Sequence, residues 1–471
     1  MTTVLIYGKF DILHAGHIRL FQYAKKIGDK LIIGLLDDQC ANTEMRLDYE
    51  TRCANLLSIK LIDDIFKFQD TDLLIEEIRP SIVLKGHEFT NRLNPEIETI
   101  NSVGAKMVFM SGADSIRLTL NVEKNKKGLD TFARAYRQRY GISRSKVNKV
   151  LSQFSELRGL IIGDLIYDEY TSCLPVGMSQ EDKNIVYETK ETLRYVGGAG
   201  IVAAHCGSLG ADIVFMTVVG DDELGNSSKE ELSKFALTPE ILIDPSRKTT
   251  TKRRYVWDEK SIFRASDLST HFIDQNIEAT IYESVLRKVD KLNFIILSDF
   301  NYGILSPNLV SKIITLCKSK EVCVVADCQT SSQSGDLYKY VGVDILTPTE
   351  VEVRVALNDF TSGLAYVGEK LFVKNKISNL IMTLGEEGLM IFNSMNSQIV
   401  VDRLGVLDVE TVDSSGAGDS LLAISTLTFC KTRDIYLSSF MGTLAASIQV
   451  SRRGNTPLKI SELKQQIDTL F

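Results

Sequence analysis

Val4-Leu5-Ile6-Tyr7-Gly8-Lys9-Phe10-Asp11-Ile12-Leu13-His14-Ala15-Gly16-His17 is a short apolar run that breaks at a glycine and then presents two histidines. The apolar run ending at Gly8 reads as a buried strand, and Ile18–Ile27 carries a helical pattern. A helix starting near Gly16 would aim both imidazoles and its free N–H groups at one anion. Gly8 lets the backbone approach such a ligand without a Cβ. Histidines that donate hydrogen bonds to phosphate stabilise the charge developing in phosphoryl or nucleotidyl transfer.

The same alternation continues outward. Strands are expected at Lys30–Leu36, Asp64–Phe68, Ser81–Leu84 and Lys106–Met110, with helices around Tyr49–Ile59 and Asp72–Glu77. Strands alternating with helices predict a parallel sheet with helices on both faces, with ligands beyond the carboxyl ends of its strands. Residues 121–150 change character: Lys124, Lys126, Lys127, Arg134, Arg137, Arg139, Arg144 and Lys146 read as a solvated helical linker. Gly159–Gly163 opens a second region with strands near Ile213–Val219, Phe294–Leu297, Val322–Ala326 and Leu380–Thr383. It is long enough for one α/β domain of roughly 300 residues. The division expected is 1–120, a linker over 121–155, and 156–471.

The length of 471 residues fits two or three domains, and 44% hydrophobic with 24% charged residues is a soluble globular composition. A net charge of -7 argues against an extended basic surface, so no nucleic-acid partner is expected. The eight cysteines form no C-x-x-C pair and read as reduced thiols, without a structural zinc site. Val4–Tyr7 is too short for a signal sequence and no run of 18 apolar residues follows. A cytoplasmic protein without a membrane partner is the expectation.

A second signature lies near the other end. Asp413-Ser414-Ser415-Gly416-Ala417-Gly418-Asp419 precedes the apolar helical run Leu421–Phe429. Small residues at a helix N-terminus expose N–H groups as an anion hole, and the helix dipole adds to it. Asp419 would then take a proton from an attacking hydroxyl beside a held γ-phosphate. Taken alone, G-x-G-D reads better as a glycine turn with an Asp cap. Two phosphate-handling signatures in one chain suggest that a phosphate is installed and a nucleotide then coupled to the same metabolite.

Over residues 3–120 the chain resembles the cytidylyltransferase-like nucleotidyltransferases, including the transferase half of the bifunctional heptose-phosphate enzyme. Besides G-x-F-D-x-x-H-x-G-H, the resemblance rests on Gly28-Asp29, Asp37-Asp38, Tyr49-Glu50-Thr51-Arg52 and Arg79-Pro80-Ser81-Ile82-Val83-Leu84-Lys85-Gly86. It implies a Rossmann-like domain in which His14 and His17 hold the NTP phosphates. Arg52 and Lys85 would neutralise the triphosphate or the incoming phosphate, and Asp11 would orient the site. Gly8, Phe10, Gly16 and Asp37 are placed around the same nucleotide. The family usually closes its site with hydroxyl residues at a helix start; here Ser115 survives, whereas Ile116 and Arg117 replace them, and Arg117 is a candidate electrostatic substitute.

Over residues 157–471 the chain resembles the ribokinase/PfkB sugar kinases, an α/β fold with a small β lid. Gly163-Asp164 with Asp168, Gly197-Gly198-Ala199, Gly220-Asp221-Asp222-Glu223-Leu224-Gly225, Thr251-Lys252-Arg253-Arg254, Ser298-Asp299-Phe300 and Thr383-Leu384-Gly385-Glu386-Glu387-Gly388 carry the match in order. The resemblance implies Asp419 as base and Gly416, Ala417 and Gly418 as anion hole. It places Asp164, Asp168, Gly197, Gly198, Lys252, Arg254 and Asp299 at the sugar, and Thr383, Gly385 and Gly388 near ATP. Glu352 would organise Mg²⁺ through water. Departures fall at Ile201 and Thr349, where asparagines are usual, and at Tyr302 and Gln329, where heptose kinases carry lysines.

The leading expectation is a bifunctional enzyme, a homodimer, that phosphorylates a sugar or sugar phosphate with ATP and couples a sugar 1-phosphate to a second NTP, ATP or CTP, using Mg²⁺. Its domain order is the reverse of the familiar heptose enzyme. Two alternatives are a polyol-phosphate cytidylyltransferase fused to its kinase, and a protein with one half catalytically silent. The sugar is left open.

Overall fold

The computed structural model describes residues 2–471 except 41–44, 112–128, 183, 259, 330–335, 396–397, 408, 410 and 453, with only the backbone of 129–132. Ser115 and Arg117 therefore lie outside the described residues.

The apolar run of the first signature forms β1 (Thr3–Gly8). With β2 (Lys30–Leu36), β3 (Asp64–Phe68), β4 (Ile82–Gly86) and β5 (Lys106–Met110) it makes a parallel sheet of order β3-β2-β1-β4-β5. β1 is central because both of its faces are apolar. Val4 and Ile6 join Phe21, Leu31 and Ile33 on one side. Leu5 joins Ile32, Leu74, Ile75 and Val83 on the other. The strand order reverses at β1, so its carboxyl end is the crevice where a ligand fits. Helix α1 (Ala15–Ile27) starts at that crevice.

The second unit is a sheet of order β10-β9-β6-β13-β14-β15-β16-β17-β18. Here β6 is Arg158–Gly163, β9 Asp212–Val219, β10 Thr238–Ile243, β13 Phe294–Asp299, β14 Cys323–Cys328, β15 Ile345–Leu346 and β16 Asn379–Thr383. Those strands are parallel, and β17 (Leu389–Met395) and β18 (Gln398–Leu404) close the edge antiparallel. The run after the second signature is a helix, Ala417–Thr432, paired with another at Ile435–Val450. Both are apolar nearly all round and are buried accordingly. A separate four-stranded sheet forms the expected lid from β7 (Leu165–Met178), β8 (Ile185–Gly198), β11 (Thr251–Trp257) and β12 (Lys260–Asp267). Among the described residues no helix is long and apolar enough to cross a membrane.

Lys124, Lys126 and Lys127 lie outside the described residues; from residue 129 on the basic stretch is helical, as read, but one face of it is buried where the sequence suggested a solvated linker. Helices Leu129–Arg139 and Arg144–Ser152 pack Tyr136, Val147, Val150 and Leu151 into the core of the second unit. Their positive charges serve as ion-pair partners: both Asp402 oxygens accept from Arg139 Nη1 at 2.7 Å, and Lys146 lies 2.9 Å from Asp434.

The two units also meet directly. Arg19 of α1 donates to Glu350 at 3.0 and 2.9 Å and to Glu387 at 3.1 and 3.0 Å. Arg19 is 3% exposed, Ala15 belongs to an apolar cluster of the second unit, and Gly363 N donates to Glu88 at 3.2 Å. Removing one partner of a buried ion cluster strands the others without compensation, a loss of about 3–5 kcal/mol. Arg19→Ala is therefore expected to lower the unfolding temperature sharply and to expose the junction to protease, whereas Arg19→Lys restores part of the stability. Unchanged unfolding of the alanine variant would show that the units do not rely on this contact.

Candidate active sites

At the first site the loop after β1 turns through Phe10, whose φ of 45° is left-handed. That is an unusual conformation for a bulky residue, and such strain is stored where structure around it is dense. Phe10 packs edge-on to His17 with ring centres 5.2 Å apart and against Phe21 at 5.8 Å. Its ring thus helps to position His17. His14 caps α1, and its ring stacks on His17 at 3.8 Å. His17 Nδ1 accepts from His14 N at 3.3 Å, while the buried His14 Nδ1 has no hydrogen-bond partner. Burial, then the charge of Arg403, lowers the His17 pKa to about 4. Burial, His17 and Arg403 push His14 down as well. Both rings are neutral near pH 7.

The other expected phosphate contacts are differently employed. Arg52 is fully buried and donates to Leu47 O, Lys9 O, Leu36 O and Asp38, so it clamps the loop and is not a free hand for triphosphate. Asp11 accepts from Arg46 N at 3.1 Å and Leu47 N at 2.9 Å, orienting the opposite loop. Asp37 is held low by Gln69 and Lys67 against a burial effect that raises it. Lys85 pairs with Glu96 and donates to Asn94 at 2.9 Å, facing the rings of Tyr7 and Phe89. Gly8 and Gly16 border the same turn, Gly16 beside the His14 ring.

At the second site Gly416 caps its helix with φ 78°, where a side chain would strike Asn455. Gly418 faces open space next to Ala417, leaving room for an anion at the helix start. Asp419 is 6% exposed; Oδ2 accepts from Asn455 Nδ2 at 3.1 Å and Oδ1 is buried without a partner. Burial raises its carboxyl to about 6, Asn455 lowering it, Asp168 raising it and Lys252 lowering it. A base with a value near neutrality and an unengaged oxygen suits proton removal from a hydroxyl.

The residues expected at the sugar gather around β6, β7, β8, β11 and β13. Asp164 Oδ2 accepts from Phe300 N at 2.7 Å, its Oδ1 is buried without a partner, and burial plus Asp299 raises it to about 7. Gly198 takes φ 59° against Asp164 O, and Gly197 abuts the Asp168 carboxylate, so both glycines allow close packing around these acids. Arg254 lies 3.3 Å from Asp168 and over the Tyr170 ring. Lys252 sits over Phe300 and Tyr302 at 5.2 and 5.6 Å, and burial lowers its pKa although Asp168 opposes this. Asp299 departs from the sugar role: Oδ1 accepts from Asn301 N and Oδ2 from Tyr340, with Lys339 paired to it, so it braces the floor.

Of the residues expected near ATP, Thr383 ends β16 and donates its N–H to Pro348 O at 2.9 Å. Gly385 and Gly388, both left-handed, frame the following turn, and Glu387 of that turn receives Arg19. Thr349 substitutes for asparagine as a helix cap, bonding Glu352 reciprocally at 2.7 and 3.2 Å. Asp327 is raised by burial and then by Glu352, with Asp419 and Asp299 adding. This crowding of carboxylates fits a divalent cation shared with nucleotide phosphates. Among the described residues no three His, Cys, Asp or Glu side chains form a metal site by themselves. Asn455, Lys339 and Tyr340 escaped sequence reading because each reaches the site from a distant segment. Asp327 had a local signal, the end of an apolar strand.

Residues 159–461 match the family model for pfkB family carbohydrate kinases, and residues 5–150 match the cytidylyltransferase-like model. The bifunctional protein HldE of Geobacter sulfurreducens is 29% identical over 328 residues, covering 68% of this chain and 65% of that protein. HldE of Campylobacter jejuni is 31% identical over 310 residues, 65% and 63% of the two chains. The aligned stretch thus spans just under two thirds of these relatives' length. Phosphofructokinase-2 from Escherichia coli superposes with a TM-score of 0.55 at 14% identity, covering 67% of this chain and 98% of that one. Ribokinase from Giardia lamblia gives 0.53 at 16%, covering 67% and 99%. At such identities these two show the fold.

Asp419 also carries a stability signature. A carboxyl raised from 3.8 to about 6 favours folding below its unfolded value, and that contribution is lost as pH rises through about 6. Asp419→Asn is therefore expected to be more stable than wild type near pH 8, by on the order of 2 kcal/mol, with the advantage gone near pH 4. Thermal unfolding across that range checks this; a pH-independent difference contradicts it.

Proposed function

The chain belongs to the pfkB family of carbohydrate kinases, and from that premise we propose a bifunctional sugar kinase and nucleotidyltransferase that makes an activated NDP-sugar. The observation carrying the reading is the buried, partly unengaged Asp419 carboxylate at a glycine-lined helix start. In the kinase step a sugar hydroxyl gives its proton to Asp419 and its oxygen attacks the γ-phosphorus of ATP, releasing ADP. The Gly416–Gly418 N–H groups hold the transferring charge, and Asp164 with Asp168 orients the hydroxyls. In the transferase step the phosphate oxygen of a sugar 1-phosphate attacks the α-phosphorus of ATP or CTP and pyrophosphate leaves. His14 and His17 donate to the phosphates as this charge shifts.

Mg²⁺, held with the nucleotide phosphates beside Asp327 and Glu352, would neutralise negative charge in the kinase site. The substrate class is a heptose-phosphate-like sugar, supported by Lys252 and Arg254 at the sugar side. If the kinase makes a bisphosphate, a phosphatase must act between the two steps. A cytoplasmic homodimer completes the reading. Leu174, Val176, Met178, Ile185 and Phe263 of the lid are exposed, an apolar surface that a second copy would cover.

A panel of sugars and sugar phosphates, assayed with ATP and CTP for ADP and pyrophosphate separately, tests both halves. Asp419→Asn should abolish ADP release, and unchanged turnover would sink the kinase assignment. His17→Ala should cut pyrophosphate release by about a hundredfold or more. Retained release would remove the histidine pair from the chemistry.

A further inference from the structure

We propose that Asn455 is a positioning residue for the kinase base, turning the Asp419 carboxylate so that Oδ1 meets the attacking hydroxyl, and that the buried His205 anchors the segment that carries Asn455. This rests on the reading of Asp419 as that base.

The segment is stapled to the glycine loop from two sides. Gln449, fully buried, donates to Gly454 O at 2.8 Å and to Ser415 O at 3.3 Å. Asp413 accepts from Ser415 N at 2.9 Å and from Gly454 N at 3.3 Å. Asn455 fills the space that a Cβ on Gly416 would need, and across that glycine it donates to Asp419 Oδ2 at 3.1 Å. The second anchor is the helix Ala199–Ser208. His205 Nδ1 accepts from Leu458 N at 3.1 Å, and Ser208 Oγ donates to Leu458 O at 2.7 Å.

Donors and acceptors fix the sense of the amide. Because Nδ1 of the fully buried His205 accepts a backbone N–H, the neutral imidazole carries its proton on Nε2. His205 Nε2 and Asn455 Oδ1 are a buried donor and a buried acceptor that no other group satisfies. Burial and Arg452 bring the imidazole pKa down to about 3, and the Asn455 amide opposes them. With Oδ1 turned to the ring, Asn455 offers Asp419 only its N–H. A donated hydrogen bond favours the ionised carboxylate and occupies Oδ2. Oδ1, buried without a partner, is left for the hydroxyl proton. The charged groups that also face Asp419 are Asp168, which raises its pKa, and Lys252, which lowers it; Asp327 feels its charge in turn.

The test measures ADP release by the full chain against pH, with Mg·ATP and the acceptor that reacts fastest in the sugar panel. Asn455→Ala should lower kcat about tenfold or more and hold the KM for ATP within about twofold. Its acid limb should move upward from about 6, because the carboxylate loses the bond that favours its ionised form. Asn455→Ser, which keeps a donor, should fall between. His205→Leu removes the acceptor for Leu458 N and should act in the same direction, whereas His205→Asn keeps one and should restore most of kcat and the limb. A wild-type kcat and acid limb in Asn455→Ala or His205→Leu, beside an inactive Asp419→Asn, overturns the proposal and spares the base. An active Asp419→Asn overturns both.

Discussion

The guanidinium of Arg19 cannot be buried without its charge being met, and two carboxylates from another part of the chain meet it. Glu350 is itself shared with Arg354 four residues along its helix, at 2.8 Å, and Arg354 continues to Ser362 O at 2.9 Å. Two cations and two anions thus neutralise one another out of water. Because Glu387 belongs to the nucleotide-side turn of the kinase and Arg19 to the helix that begins at His14, this one cluster sets the spatial relation of both sites. Neither the helix nor the turn can shift without exposing charge at the junction.

Both sites use the same backbone device, a helix N-terminus at the carboxyl end of parallel strands, yet their side chains give them opposite character. Around Asp419 several acids gather beside Lys252 and Arg254, and burial raises Asp164, Asp168 and Asp327 together with it. Around His14 the groups are basic, and burial lowers both imidazoles. A raised acid and a lowered base express the same penalty on isolated charge in a dry crevice. The acidic site suits the hydroxyl and cation proposed for it, and the basic one suits the proposed phosphate.

The sequence made legible what local pattern encodes. The strands at Val4–Tyr7 and Lys106–Met110, the helix after His17 and the glycine-bearing turn before Asp419 all appear, because apolar runs and glycines act over a few residues. Roles set by distant partners were illegible. Arg52 looked like a phosphate ligand until Lys9 O, Leu36 O and Leu47 O claimed its guanidinium. Asp299 looked like a sugar ligand until Tyr340 and Lys339 closed over it. The basic stretch read as solvated because the acids that meet it, Asp402 and Asp434, lie far along the chain.

Of the drifted positions, Tyr302 bears most directly on the pocket around Lys252. Tyr302 replaces a lysine, yet with Phe300 it forms an aromatic floor under Lys252. Such contact stabilises an ammonium whose burial otherwise lowers its pKa. Arg254 is already engaged by Asp168 and Tyr170, so an anionic substrate must compete for it. Lys252 is then the more available cation, and Asp168 stands close to repel a second negative group. On the proposed reading of this pocket, a sugar carrying one phosphate, or none, meets these constraints better than one carrying two.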